Sequence, residues 1–252
     1  MQIGLIGAGN MATALARGWG RPVLCTDVLP ERARALAEET GGEALADGGE
    51  VARRADLVVL CHKPGQLREV AAELSDDARA VASILGGVPR ADVVEAYPAR
   101  PVYRLLPSTP VEVRQGVLLI ARAEPQALDA EVAELFGELG LLVPIDESLV
   151  DVAMGLMSTA PAFLALVAEA QVDAGVRHGV PAERAAELVV QTMAGTAALL
   201  RHHGYDTLAV RRQVTSPGGS TARGLDALER AGLRAAFSDA LDAVCQTGSW
   251  AR

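Results

Sequence analysis

The chain has 252 residues, a formal net charge of -9 and three cysteines; 50% of it is hydrophobic, yet only 3% is aromatic. That length suits one large or two modest domains, with a core of Ala, Val and Leu. The negative charge speaks against non-specific binding of nucleic acid, and no uncharged apolar run reaches the roughly 18 residues that a membrane span needs.

A strand pattern begins at Gln2, so no leader segment is expected. Cys25, Cys61 and Cys245 are odd in number and far apart, which predicts buried thiols in a reducing cytoplasm and no disulfide. His62, His178, His202 and His203 lack a metal-like spacing, so no metal site is expected.

Gln2–Ile6 is a short apolar run suited to a buried parallel strand. Gly7-Ala8-Gly9 follows, and Met11, Leu15 and Trp19 then recur at helical spacing. Strand, glycine turn and helix open a Rossmann dinucleotide-binding unit. Gly7 permits the tight turn, and Gly9, without a Cβ, lets a pyrophosphate approach the backbone. N–H groups at the helix start, from Asn10 and Met11 on, face the phosphate charge. Ala12 takes the third small position, where helix and strand pack closely. The alternative is an ordinary glycine turn in another α/β fold.

Arg21–Thr26 reads as the second strand, and Asp27 ends it. A carboxylate there can accept both ribose hydroxyls of an adenosine and repels a 2′-phosphate, which favours NADH. Arg32 and Arg34 on the next helix soften that preference and leave NADPH open. A helix over Pro30–Thr40, a short strand over Glu43–Ala46 and a short helix over Gly49–Arg54 come next. Asp56–Cys61 is a continuous apolar strand of the kind covered on both faces. His62-Lys63-Pro64-Gly65 leaves its carboxyl end, and Pro64 opens a helix through Leu74. Lys63 is the only lysine among 23 lysines and arginines. Ligands bind at this edge of doubly wound sheets, which makes Lys63 and Pro64 candidate cofactor contacts; chance placement is the alternative.

Ala80–Leu85 is a strand ending in Gly86-Gly87, Pro89–Ala96 a helix, and Pro101–Leu106 a strand ending in Pro107-Ser108-Thr109-Pro110. Ser108 is a further cofactor candidate. A strand over Gly116–Ala121, an amphipathic helix over Pro125–Leu139 and a last strand over Leu141–Pro144 complete this half. Five strand ends, near Gly7, Asp27, Lys63, Gly86 and Ser108, are expected to meet in one crevice.

Beyond Ile145 only helical patterns remain, so residues 1–145 read as the Rossmann domain and 146–252 as an all-α domain. Pro161–Val176 is apolar around most of its circumference, with Glu169 and Asp173 as its only charges. A helix of that kind must be buried on nearly every side, and about one hundred residues of helix cannot enclose it, so a second copy of the chain is expected to do so. Helices over Pro181–His203 and Asp206–Val214 follow, then helices from Ala222 and from Leu233 to the end. Between them lies Thr215-Ser216-Pro217-Gly218-Gly219-Ser220-Thr221, a glycine-rich loop ahead of a helix. Its backbone N–H groups can bind an anion, most simply a substrate carboxylate. The alternative is a helix N-cap at Ser220 or Thr221.

These motifs, in this order, resemble the pyrroline-5-carboxylate reductases along the whole chain. The matching stretches are the N-terminal Ile-Gly-x-Gly-Asn-Met, Lys63-Pro64, Ser83-Ile84-Leu85-Gly86-Gly87, Arg104-Leu105-Leu106-Pro107-Ser108-Thr109-Pro110, Pro161-Ala162-Phe163 and Val214–Thr221. The resemblance implies reduction of a cyclic imino acid to proline by NAD(P)H, a homodimer with interlocked long helices, and in some members a decamer. It further implies that the loop Gly218–Thr221 holds the substrate carboxylate through backbone N–H groups, which makes Ser216, Gly218, Gly219, Ser220 and Thr221 the substrate-binding candidates, and that the Thr221 hydroxyl lies near the ring nitrogen as the catalytic contact. The chain departs from the family pattern at Gly65, Ser108, Ser158 and Ala160, and at Gly48 or Gly49. The alternative function is a dinucleotide-binding paralogue with little or no catalysis. The β-hydroxyacid dehydrogenases share the two-domain plan but need a lysine in the second domain, and this chain has none there.

Overall fold

The computed structural model describes residues 1–246. Its eight strands are β1 (Ile3–Ile6), β2 (Leu24–Thr26), β3 (Glu43–Ala44), β4 (Leu57–Leu60), β5 (Val81–Ser83), β6 (Val102–Pro107), β7 (Gly116–Ala121) and β8 (Gly140–Ile145). They form one sheet in the order β3-β2-β1-β4-β5-β6-β7-β8. All pairs are parallel except β6 with β7, which is antiparallel. The carboxyl ends of β1, β2, β4, β5 and β6 therefore share one edge. Order and direction are those of a Rossmann sheet with helices on both faces.

The helices of this half are α1 (Asn10–Trp19), α2 (Pro30–Thr40), α3 (Gly48–Arg54), α4 (Leu67–Leu74), α5 (Arg90–Ala96) and α6 (Asp129–Gly137). Two of them are shorter than expected. Pro64–Gln66 is a 3-10 turn ahead of α4, and the 125–139 helix begins only at Asp129. Side chains alternate across the sheet as the two-residue strand period requires. Leu57 and Val59 join Ile3, Leu5 and Leu15 on one face; Val58 and Leu60 join Ile6, Val51 and Leu74 on the other. Trp19 closes the first core. Its ring meets Phe136 edge-on at 5.5 Å, and its Nε1–H donates to the Leu135 carbonyl at 2.9 Å.

Among the described residues the first compact unit covers Met1–Pro161 and 244–246; the second covers Ala162–Ala243. The first runs past Asp146 because α7 (Val150–Met157) belongs to its core: Val150 and Met157 are buried with Leu106 and Leu119. Buried Arg104 fixes the start of that segment. Its guanidinium donates to Glu147 at 2.7 Å, and the same carboxylate oxygen accepts the Arg90 N–H at 2.6 Å.

The second unit holds α8 (Ala160–Arg177, begun just before it), α9 (Ala182–His202), α10 (Thr207–Gln213), α11 (Ser220–Arg230) and α12 (Leu233–Gln246, ended just after it). The expectation that the last helix runs to the C-terminus lies outside the described residues. In the single chain α8 and α11 bury no residue at all, and α9 buries only Ala185. Leu164 and Leu166 are two residues apart on α8, hence about 200° apart around it, and both are exposed. By length and composition the stretch Glu147–Arg177 passes for a membrane span, with a mean hydropathy of 1.7. It is interrupted between Met157 and Ala160, and its first part is core of the sheet unit.

Candidate functional site

The glycine turn between β1 and α1 builds the site. Gly7 has φ +103°, and a Cβ there would sit 2.9 Å from the Cys61 carbonyl, so no larger residue fits. At Gly9 a Cβ would meet nothing within 4 Å, and the space in front of it is open. Gly9 is the N-cap of α1, and no side chain caps that helix. Its first N–H groups are thus free to meet an anion, with the helix dipole behind them. Ala12 is fully buried against the sheet, as a packing position and not as a contact.

A cavity of about 690 Å³ opens in front of this turn. Gly7, Gly9, Asp27, Lys63 and Pro64 line it, as does Arg32. Its size is within the range of small-molecule and cofactor sites. Asp27 is not simply a free carboxylate awaiting a ribose. Its Oδ2 accepts the Ala8 N–H at 2.7 Å and its Oδ1 accepts the Leu29 N–H at 2.9 Å, so it ties the glycine turn to the end of β2. Each oxygen keeps a further lone pair for a ligand.

Two helix N-termini at this edge behave differently. That of α1 is open, whereas that of α3 is closed by acids. Glu73 Oε1 accepts N–H groups of Gly48 at 2.7 Å and Gly49 at 3.2 Å, and Asp47 Oδ1 accepts that of Glu50 at 2.7 Å. Asp27, Asp47 and Glu73 all line the cavity, as do the cations Arg32 and Lys63. The sequence gives no sign of Glu73 as a site residue, because only the packing of α4 on α3 brings it to Gly48.

A second, smaller chamber of about 250 Å³ is lined by Met11, Ile84, Leu106, Met154 and Ser158 and shares Cys61 and His62 with the first. It is largely apolar. Burial pushes the Cys61 thiol well above its ordinary range and the Cys25 thiol up to about 11, which leaves both inert at neutral pH. Cys245, expected buried, is exposed.

The remaining predicted residues divide. Asn10 is the exposed first residue of α1 and Met11 lines the smaller chamber. Ser108 lines neither space. It is 2% exposed, and its hydroxyl accepts the Val117 N–H at 2.9 Å, which holds the β6–β7 pair together. In the helical unit, Gly218 has φ +69° and Gly219 is the N-cap of α11. Ser220 and Thr221 are the first two residues of that helix, and no side chain caps it. The capping role that the sequence left open for Ser220 or Thr221 is therefore absent, and the N–H groups there stay free. Arg223 braces the turn by donating to the Gly218 carbonyl at 2.8 Å. Among the described residues no group of three His, Cys, Asp or Glu is placed to hold a metal.

Residues 147–249 match the family model for pyrroline-5-carboxylate reductase dimerisation, and residues 2–87 match that for NADP oxidoreductase, coenzyme F420-dependent. The pyrroline-5-carboxylate reductase of Synechocystis sp. is 34% identical to this chain over 256 residues, which cover 97% of the chain and 96% of that protein. The chain belongs to the pyrroline-5-carboxylate reductase family. Among solved structures, the 1-pyrroline-5-carboxylate reductase of Streptococcus pyogenes matches at a TM-score of 0.89 and 28% identity, over 98% of each chain. That of Plasmodium falciparum, with NADP bound, matches at 0.86 and 24% identity, over 98% of this chain and 97% of that one. The family's dimerisation model spans α7 to α12 and so takes in the helices that a single chain leaves uncovered. Self-association through this region accounts for their apolar faces.

Proposed function

We propose that this protein reduces 1-pyrroline-5-carboxylate, or a close cyclic imino acid, to proline with a hydride from NAD(P)H. Family membership supports the reaction, and the open N-terminus of α1 in front of a cavity walled by Gly7, Gly9, Asp27 and Lys63 supports the cofactor. The reaction needs little acid–base machinery. A cyclic imine is partly protonated near neutral pH, and its carbon then accepts hydride directly. The protein has to hold nicotinamide and imine face to face and fix the carboxylate, which is catalysis by proximity and electrostatics.

In this reading the diphosphate lies on the N–H groups of Asn10 and Met11, with Lys63 and Pro64 beside it. The free N–H groups of Ser220 and Thr221 hold the substrate carboxylate, with Ser216 and Gly218 shaping the turn and the Gly219 N–H donating to the Ser216 carbonyl at 3.1 Å. The Thr221 hydroxyl orients the ring nitrogen. Thr221→Ala then lowers kcat about a hundredfold while the Kd of the cofactor stays within about twofold. Unchanged turnover in that variant would remove Thr221 from the mechanism.

NADH is the preferred donor. Asp27, Asp47 and Glu73 line the cavity and repel a 2′-phosphate at the adenosine end, and they outnumber the cations Arg32 and Lys63 of the same lining. Steady-state rates with the two cofactors test this, and Asp27→Ser is expected to raise kcat/KM for NADPH relative to NADH. A wild-type preference for NADPH refutes the acidic-wall reading. The functional unit is a homodimer built through α7 to α12, from which decamers can assemble.

A further inference from the structure

One polar atom at the junction of the two spaces has no role so far. His62 follows β4 and forms part of the wall of both the larger cavity and the smaller chamber. Its Nδ1 lies 2.9 Å from the Lys63 carbonyl oxygen, which can only accept. Nδ1 therefore carries the proton, and in the neutral ring Nε2 is a bare acceptor. That Nε2 is buried and has no hydrogen-bond partner among the described residues. A buried acceptor without a donor costs free energy, and such atoms in folded proteins call for an explanation.

No donor among the described residues removes the deficit, yet the ring sits where the polar cavity passes into the apolar chamber. Burial also holds the imidazole below its ordinary range, against the opposing effect of the Lys63 carbonyl, and so keeps the acceptor form at neutral pH.

We propose that His62 Nε2 accepts a hydrogen bond from the nicotinamide half of the bound dinucleotide and thereby fixes its position at the mouth of the chamber. This rests on the reading of the larger cavity as the dinucleotide site, with its adenosine end at Asp27 and Arg32. The donor is a ribose hydroxyl or the carboxamide N–H; the chemistry asked of His62 is the same for both. The sequence held the signal, since His62 is the neighbour of Lys63 at a strand end, but not the tautomer, which the local turn sets.

Calorimetric titration of the full-length protein with NADH and with ADP tests the proposal. His62→Leu keeps the site filled and removes the acceptor; His62→Gln restores one. The leucine variant is expected to bind NADH about five- to tenfold more weakly and ADP unchanged, with most of the loss recovered in the glutamine variant. The 3-acetylpyridine analogue of NADH lacks the carboxamide N–H. A leucine effect that persists with it identifies a hydroxyl donor and one that vanishes identifies the carboxamide; either supports the contact. Equal NADH affinity in wild type and His62→Leu overturns it. An equal loss for ADP also overturns it, because the substitution would then disturb the whole cavity. A wild type that binds neither NADH nor ADP refutes the cavity reading itself, and this proposal with it.

Discussion

Leu57 and Leu166 are the same residue with opposite fates. Leu57, in the centre of the sheet, is 0% exposed, whereas Leu166, near the middle of α8, is 64% exposed in the single chain. The sheet unit buries its apolar residues within one chain, on two faces each covered by helices. The helical unit is as apolar in its long helix, yet α8 and α11 bury nothing. Part of this protein's core is therefore intermolecular, and its stability is tied to its concentration.

The most severe way to break that contrast is Leu166→Glu. A charge on a face that a partner must cover is expected to weaken self-association at least about a hundredfold. Sedimentation velocity then shows monomers, with the circular dichroism of the sheet unit retained. A dimer of wild-type affinity would place the interface on another face of α8.

A pair of alanine substitutions sharpens it. Leu57→Ala opens a cavity in a closed core and is expected to cost about 2–5 kcal/mol in denaturant unfolding. Leu188→Ala, at an exposed position of α9, costs little in a monomer, and its effect appears only at concentrations where the dimer forms. The smallest effect concerns the end of the sheet unit. Glu147→Gln leaves buried Arg104 without its close carboxylate partner. The Glu147 side chain is 36% exposed, so solvent screens part of the loss, and about 1–2 kcal/mol is expected. A neutral result there would mean that Asp151, 3.8 Å from the same guanidinium, suffices.

Much of this was legible beforehand, for reasons that particular residues show. Buried parallel strands such as Leu57–Leu60 must be continuous apolar runs, and Gly7 has no alternative at its φ, so strand positions and the phosphate turn can be read directly. The reversed direction of β7 could not be read, because the antiparallel step depends on the turn over Thr109–Val113 folding the chain back. Ser108 looked like a site residue by position, but its hydroxyl serves the β6–β7 pair. Two helix starts with small residues, at Gly9 and at Gly48, differ in the fold: one is open and the other is filled by the Glu73 carboxylate from α4.

The sequence by itself determined the Rossmann plan, the glycine turn, the carboxyl-edge placement of Asp27 and Lys63, and the need of α8 for a covering partner, because each follows from local period and backbone freedom. The tertiary structure decided which of those groups remain available to a ligand. Asp27 is half engaged in holding the turn, the buried Ser108 hydroxyl accepts from the Val117 N–H, α7 is drawn into the sheet unit, and His62 Nε2 is left bare among the described residues. Availability depends on which donors and acceptors long-range packing brings within 3 Å of one another, and no local pattern contains that information.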